Sequence, residues 1–166
     1  METNNLKSPF QLIDNRIEKL NIKNDLINLE DKNLIHEISN IDYKIGEVAE
    51  INDEYWGVLQ LLLDLKIKKS RKIVYSLSLV VEGAFKGDSK FLGREKFEEM
   101  LELNGTSSLY SIARSIITTV SSLSLISGQI RIPMLNIMSL YQTKHQNAKL
   151  DKTRNGSKPS ESGNNQ

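Results

Sequence analysis

The side chains best suited to chemistry are scattered along this sequence. His36 and His145 are its two histidines, and neither has a second histidine or a carboxylate at the spacing of a metal site. The chain contains no cysteine, which excludes disulfides, thiol catalysis and cysteine-based zinc sites. The sequence therefore predicts no metal site.

An acidic group lies on a short predicted helix, at Glu95, Glu98, Glu99 and Glu102. Paired carboxylates can transfer protons, but four on one short helix are more typical of a solvated face. Neither a phosphate-binding G-x-x-x-x-G-K-[ST] loop nor a G-x-S-x-G nucleophile motif occurs. We predict no catalytic residue and no cofactor, which makes an enzyme the least favoured class.

Composition indicates a soluble domain with one core. The chain has 166 residues, of which 39% are hydrophobic and 26% charged, with a net charge of +1. Such a balance gives no basic field for nucleic acid. The polar N-terminus does not resemble a signal peptide, and the apolar runs are too short to span a bilayer. We therefore predict a cytoplasmic protein without membrane insertion.

Residues 56–85 predict the elements around which the chain is built, two long β-strands joined by a charged turn. Apolar residues occupy both faces of this hairpin, and Trp56, Val58 and Leu62 lie on the face that should be wet. Either a second subunit covers that face or it forms an apolar groove for a ligand. The basic turn, residues 68–72, predicts a solvated hairpin tip, with nucleic-acid contact as the alternative.

The remaining patterns complete an α+β fold. Residues 10–22 predict a bent or bulged strand and residues 41–45 another strand, giving a four-stranded antiparallel sheet. A short helix ending at Asn104 and Gly105 follows, then a long helix, an apolar loop and a C-terminal helix. The long helix carries an apolar stripe, which we expect to face the core: Leu109, Ile112, Ile116, Val120 and Leu123. We predict a flexible N-terminus over residues 1–8, a domain over 9–141 and a disordered polar tail over 142–166.

Small polar residues cover the rest of the long helix. They would let another backbone approach closely, so we predict an interface with a second copy of the chain; an ordinary surface helix is the alternative. The predicted interface residues are Ser111, Ser115, Thr118, Thr119 and Ser122.

The loop after this helix is unusually apolar. Gly128 and Pro133 argue against a continuous helix, and an apolar surface loop is a candidate contact site. The predicted peptide-binding residues are Trp56, Val58, Leu62, Leu125, Ile126, Ile130, Ile132 and Met134.

The order of these elements resembles the SecB family of export chaperones. The fourth strand ends in Gly83-Ala84-Phe85, and the long helix carries Ala113-Arg114 with Ile117-Thr118 just beyond. Pro133 followed by Asn136-Ile137 then opens the last helix, and Phe10-Gln11-Leu12 is similar to the family's first strand. The resemblance covers residues 8–141.

The resemblance implies an ATP-independent holdase that binds unfolded polypeptides in apolar grooves and assembles as a dimer of dimers. It places the groove loop at residues 123–136 and implies a role in protein export with the SecA motor. Related SecB-like proteins are instead dedicated to the antitoxin of a toxin–antitoxin system, and this chain could belong to that group.

Several positions depart from the family pattern. Lys19 and Lys23 fall where the first strand of typical members has acidic residues that help dock SecA, and Ser76 or Ser78 falls at the acidic position of the fourth strand. Ile112 replaces a tyrosine and Ile137 a phenylalanine. The chaperone function is therefore better supported than SecA docking.

Overall fold

A computed structural model describes residues 8–155 of the chain, with side chains up to Asn147. Its strands are β1 (Phe10–Asn24), β2 (Leu34–Ile45), β3 (Ala49–Ile51), β4 (Glu54–Lys69) and β5 (Lys72–Asp88). Its helices are α1 (Arg94–Met100), α2 (Thr106–Ser124) and α3 (Ile137–Asn155). The predicted α+β architecture is confirmed, with the short β3 as an additional strand.

The strands form one antiparallel sheet in the order β1-β5-β4-β2, with β3 pairing to β4. Ser70 and Arg71 turn β4 into β5, and both have positive φ, as a two-residue hairpin turn requires. Asn52 and Asp53 also have positive φ and turn β3 into β4. The turn at Ser70 and Arg71 lies within the basic turn, residues 68–72, that the sequence predicts.

Strand β1 changes face by means of two irregularities, as its sequence pattern predicts. Its register against β5 shifts between Leu12 and Asp14 and again between Ile17 and Lys19. After the first shift Ile17 lies opposite the buried Val81, and after the second Leu20 lies opposite the buried Leu79, so these apolar residues share the face of the sheet that carries the core.

The core lies between helices α1 and α2 and one face of the hairpin. On that face every second side chain is buried, from Leu59 to Ile67 on β4 and from Tyr75 to Phe85 on β5. The ring of Phe97 from α1 packs against Phe10, at a centroid distance of 5.6 Å. A Cβ at Gly87 would come within 2.5 Å of the Phe97 ring, so this position needs glycine. We call the other face of the sheet the outer face.

Ion pairs connect the basic hairpin tip to β2 and to the chain between β1 and β2. Lys68 pairs with Glu37, Lys69 with Asp31 and Lys72 with Asp25, at 2.5, 2.6 and 2.8 Å. The cluster is thus a solvated tip, as predicted, and much of its charge is paired.

The predicted helix end at Asn104 and Gly105 is wrong. A π-helical segment, Leu101–Gly105, carries the chain from α1 straight into α2, and Gly105 has ordinary helical angles of φ −61° and ψ −49°. The phenol of Tyr43 donates a 2.6 Å hydrogen bond to Glu102 in this segment, which ties it to β2. Asn104-Gly105 resembles a helix stop, but the tertiary contacts of Leu101 and Gly105 override that local signal.

The buried face of α2 differs from the predicted stripe. Leu109 is buried, but Ile112, Ile116 and Val120 are half-buried and Leu123 is 82% exposed. The buried face instead contains Thr106, Leu109, Tyr110, Ala113, Ile117 and Ser121. Small and polar residues take part because the following loop covers one side of the helix.

The chain divides into two compact units, one up to Met134 and one from Leu135, before the predicted domain boundary at residue 141. The second unit contains α3, whose Asn136 side chain accepts a 3.1 Å hydrogen bond from the Ser139 N–H at the helix start. The structure is helical to Asn155, whereas the sequence predicted disorder from residue 142. The composition there is polar, but Gln, Lys and Ala are good helix formers. The remaining part of the predicted tail, residues 156–166, and the predicted flexible residues 1–7 lie outside the described residues.

Across the part of the chain that the structure describes, no helix combines the length and apolar character that a membrane crossing requires.

Candidate functional site

The loop after α2 is fixed along one side of that helix. We call residues 125–134 the connecting loop. Thr118 Oγ1 donates to the Ile130 carbonyl at 3.2 Å, Arg114 Nε to the Ile132 carbonyl at 3.2 Å, and the Tyr110 phenol to the Pro133 carbonyl at 2.6 Å. These side chains lie on one face of α2, spaced by one helical turn. The loop therefore runs antiparallel to the helix.

Burial reinforces the contact at Tyr110. It raises the pKa of the Tyr110 phenol, although the positive charge of Arg114 partly offsets this. The phenol thus remains a hydrogen-bond donor to Pro133 across the physiological pH range.

The first residues of the connecting loop are held by the end of β1 and the chain that follows it. The side-chain amide of Asn24, the last residue of β1, donates to the carbonyl of Ser124, the last residue of α2, and the Ser127 hydroxyl donates to the Asn28 side chain at 2.5 Å. The N–H of Ile126 donates to the Ile27 carbonyl at 3.4 Å. The loop is therefore attached at both ends of its course.

This attachment separates the five apolar loop residues predicted to bind peptide. Leu125, Ile130 and Ile132 are 9%, 1% and 4% exposed, so their side chains belong to the core of this chain. Ile126 and Met134 are 66% and 74% exposed. Within this chain, Ile126 and Met134 are the two members of that set that present apolar surface to a ligand.

Exposed apolar side chains gather where the loop, the hairpin tip and the β1–β2 connection meet. We call Leu26, Ile73, Leu123 and Ile126 the tip cluster; each is at least 46% exposed. Their backbones are neighbours, because Asp25 N–H donates to the Val74 carbonyl at 2.9 Å and Ile126 N–H to the Ile27 carbonyl. A folded domain rarely leaves so much aliphatic surface in one region unless another molecule contacts it.

Leu26 also has an unusual backbone. Its φ is +52°, in the left-handed region that β-carbon sterics disfavour. The N–H groups of Asp25 and Ile27 are engaged by Val74 and by the Asn24 side chain, which holds this conformation. Strain that presents a leucine to solvent is typical of a contact site. Sequence reasoning missed Leu26, because no short pattern marks a leucine with positive φ.

The other three predicted peptide-binding residues lie on the outer face of the sheet. Trp56 and Leu62 are half-buried and Val58 is 38% exposed, with Val80 and Ala84 beside them on β5. Helices α1 and α2 cover the opposite face. The structure therefore does not bring Trp56, Val58 and Leu62 together with the loop residues in one groove.

A polar network also interrupts the apolar residues of the outer face. The Gln60 amide donates to Glu18 at 2.6 Å and to Glu82 at 2.9 Å, and Arg16 pairs with Glu82 at 2.7 Å. This row lies between Val58 and Leu62 on β4. The outer face thus carries two small apolar areas rather than one continuous groove.

The predicted interface residues lie on the side of α2 away from the sheet. Ser111, Ser115, Thr119 and Ser122 are exposed, and Thr118 is half-buried beneath the connecting loop. The hydroxyls of Ser111, Ser115 and Ser122 donate to carbonyls of their own helix, at 3.1, 3.3 and 2.7 Å. This face of α2 therefore consists of short side chains whose hydroxyls are already hydrogen-bonded, and such a face suits close packing against another helix. The interface with a second copy stays a prediction.

Among the described residues, no three acidic or histidine side chains gather in a way that could hold a metal ion. The arrangement presents apolar surface and fixed backbone, which suit contact with another polypeptide.

Comparison with known proteins shows similarity in structure but not in sequence. No family model matches the chain, and no curated protein matches it. A similar solved structure is the SecB-like chaperone Rv1957 of Mycobacterium tuberculosis, in complex with a ChAD peptide from the HigA1 antitoxin. The two structures align with a TM-score of 0.56 and 13% sequence identity, and the alignment covers 76% of this chain and 91% of Rv1957. A protein of unknown function from Streptococcus agalactiae aligns with a TM-score of 0.46 and 11% identity, over 75% of this chain and 97% of that one. The chain has a diverged SecB-like fold.

Proposed function

We propose that this chain is an ATP-independent, non-enzymatic chaperone that holds unfolded polypeptides by their apolar segments. The observation that carries the proposal is the tip cluster, where Leu26, Leu123 and Ile126 are 70%, 82% and 66% exposed beside a firmly attached loop. Apolar contact depends little on sequence, so such a surface would accept many extended segments. The SecB-like fold supports the same function.

The client site that we propose is narrower than the sequence prediction. It contains the exposed loop residues Ile126 and Met134, with Leu26 and Leu123 added. Trp56, Val58 and Leu62 form a second candidate surface, which either contacts clients or packs against another copy of the chain.

A chaperone dedicated to one partner is the second candidate. Rv1957 was solved with a peptide from an antitoxin, and the same kind of partner is proposed here as the alternative to general holding. Protein export is a further proposal with less support, because β1 presents Lys19 and Lys23 on the outer face where acidic residues would be needed for SecA. We also propose that the protein assembles as a dimer of dimers and that it acts in the cytoplasm. A measurement of its mass in solution tests the assembly.

A binding panel distinguishes the two candidates. Several unrelated reduced, unfolded proteins are titrated with the full chain, together with the product of any adjacent antitoxin-like gene. A general holdase binds most of the panel with similar affinity, whereas a dedicated chaperone binds the one partner at least a hundredfold more tightly. Binding of no unfolded protein would contradict both.

A further inference from the structure

A groove lies between α2 and the connecting loop, separate from the tip cluster. It has a volume of about 400 Å³, and its polar lining includes Arg114, Arg131, Ser115, Thr118 and Gln129. Its lining contains two guanidinium groups and no carboxylate. The groove is therefore a place of concentrated positive charge.

That charge is not neutralised nearby. Among the described residues, neither Arg114 nor Arg131 forms an ion pair with a carboxylate, whereas Arg16 and Arg94 both do. Helix α2 supplies no acidic residue either, since its sequence from Thr106 to Ser124 has none. An anion in the groove would thus meet no competing carboxylate on α2.

Both arginines are held in place. Arg114 donates through Nε to the Ile132 carbonyl at 3.2 Å and contacts Met134 Sδ through Nη1 at 2.8 Å. The Gln129 amide takes the orientation in which its oxygen faces hydrogen-bond donors. That oxygen accepts from Arg131 Nη2 at 2.6 Å and from Arg131 Nε at 3.0 Å. Each guanidinium keeps further N–H groups, and the Gln129 amide keeps its own. Positioned guanidinium groups match the geometry of a carboxylate.

We propose that this groove binds carboxylate side chains of client polypeptides, so that the chain prefers apolar segments with acidic residues close by. The inference rests on the proposed holdase function, since Ile126 of the tip cluster takes the apolar part. Ile126 precedes Gln129 by three residues, so their Cα atoms are at most about 11 Å apart. An acidic residue about three positions from the apolar segment would therefore reach the groove.

The groove shares Ser111, Ser115 and Thr118 with the predicted subunit interface. The proposal therefore adopts the alternative to that interface, in which this side of α2 is an ordinary surface of the protein.

Three fluorescently labelled peptides test the proposal. They share one apolar core and carry two Glu, two Gln or two Lys residues three positions away, and the full chain is titrated into each while anisotropy is measured. We expect the Glu peptide to bind about tenfold more tightly than the Gln peptide, and the Lys peptide more weakly than both. High salt should reduce these differences.

Two charge-removing variants locate the effect. Arg131→Gln should remove most of the difference in affinity between the Glu peptide and the Gln peptide, whereas Arg131→Lys should retain part of that difference. Lys96→Gln removes the same charge from the exposed side of α1, away from both candidate surfaces, and should change neither affinity. Thermal unfolding of each variant checks that the fold is intact.

The outcomes separate this inference from the proposed function. Equal affinity for the three peptides, or a preference that survives in Arg131→Gln, overturns the groove inference and leaves the holdase function standing. Failure of the wild-type chain to bind even the Gln peptide overturns both.

Discussion

The hydroxyl oxygen of Ser121 accepts a 2.8 Å hydrogen bond from the backbone N–H of Ile130, and both residues are buried. The same hydroxyl donates to the Thr118 carbonyl at 3.1 Å, and Thr118 in turn bonds the Ile130 carbonyl. Both backbone groups of Ile130 are thus satisfied by α2. This pairing fixes the middle of the connecting loop and leaves Ile126, a few residues earlier, exposed.

Replacing Ser121 with alanine should destabilise the chain by about 1–3 kcal/mol, because the Ile130 N–H would be left buried without an acceptor. Thermal or urea unfolding measures the loss, and amide exchange at Ile130 should accelerate. Ser122→Ala is the matched control, since the Ser122 hydroxyl is exposed and bonds its own helix; it should change stability by less than about 0.5 kcal/mol. Equal effects of the two variants would contradict the anchoring role of Ser121.

Aspartate substitutions at two loop positions should have different consequences. Ile126→Asp places a charge on an exposed side chain, so the fold should persist while affinity for unfolded clients falls. Ile130→Asp places a charge in the core, which costs several kcal/mol and should unfold the chain. Circular dichroism combined with client binding separates the two cases. Full client affinity in a folded Ile126→Asp variant would remove the connecting loop from the site.

Leu26→Asn should raise stability and lower client affinity together. Asparagine tolerates positive φ better than leucine, so the substitution relieves about 1 kcal/mol of backbone strain. It also removes an exposed apolar side chain from the tip cluster. Phe91→Asn is the control, because it removes an exposed aromatic ring near the end of the sheet opposite the tip. A drop in stability for Leu26→Asn would show that the strain argument is wrong.

The fold was predictable from sequence wherever side-chain periodicity decides the structure. Alternation along residues 56–85 gives the hairpin and its buried face, and the broken alternation after Leu12 gives the bulged first strand. The turn at Ser70-Arg71 lies within the charged turn, residues 68–72, that separates the two apolar stretches. The resemblance to SecB then orders these elements into the fold that the structure shares with Rv1957.

The site was less predictable, because it depends on which apolar residues a distant segment covers. Ile126 and Ile130 are indistinguishable in the sequence, and the hydroxyl of Ser121 decides that Ile130 is buried. The apolar stripe on α2 was misplaced for the same reason, since Tyr110 and Ser121 lie under the loop. The π-helical passage at Leu101–Gly105 likewise depends on tertiary packing around a local stop signal.

The hairpin tip should loosen in acid. Hydrogen bonds from Lys69 and from the Asn33 backbone hold the pKa of Asp31 below its ordinary value of 3.8, and Lys68 holds the pKa of Glu37 below 4.5. Lowered pKa values mean that these pairs stabilise the tip above the ordinary values and stop doing so as the pH falls through the lower folded-state values. Carboxyl chemical shifts recorded during an acid titration measure both pKa values.

Lys68→Gln combined with Lys69→Gln should return both carboxyl pKa values toward 3.8 and 4.5. Both groups are exposed, so overall stability should change little. Unaltered carboxyl pKa values in the double variant would show that these ion pairs are not populated in solution.

Suppression of aggregation tests the central claim most directly. A chemically unfolded client is diluted into buffer without nucleotide, and light scattering is followed with increasing amounts of the full chain. The account predicts that scattering disappears near a stoichiometric ratio, and that Ile126→Asp suppresses it much less than wild type at the same concentration. Unchanged scattering at a several-fold excess of a folded wild-type chain would contradict the claim that this protein holds unfolded polypeptides.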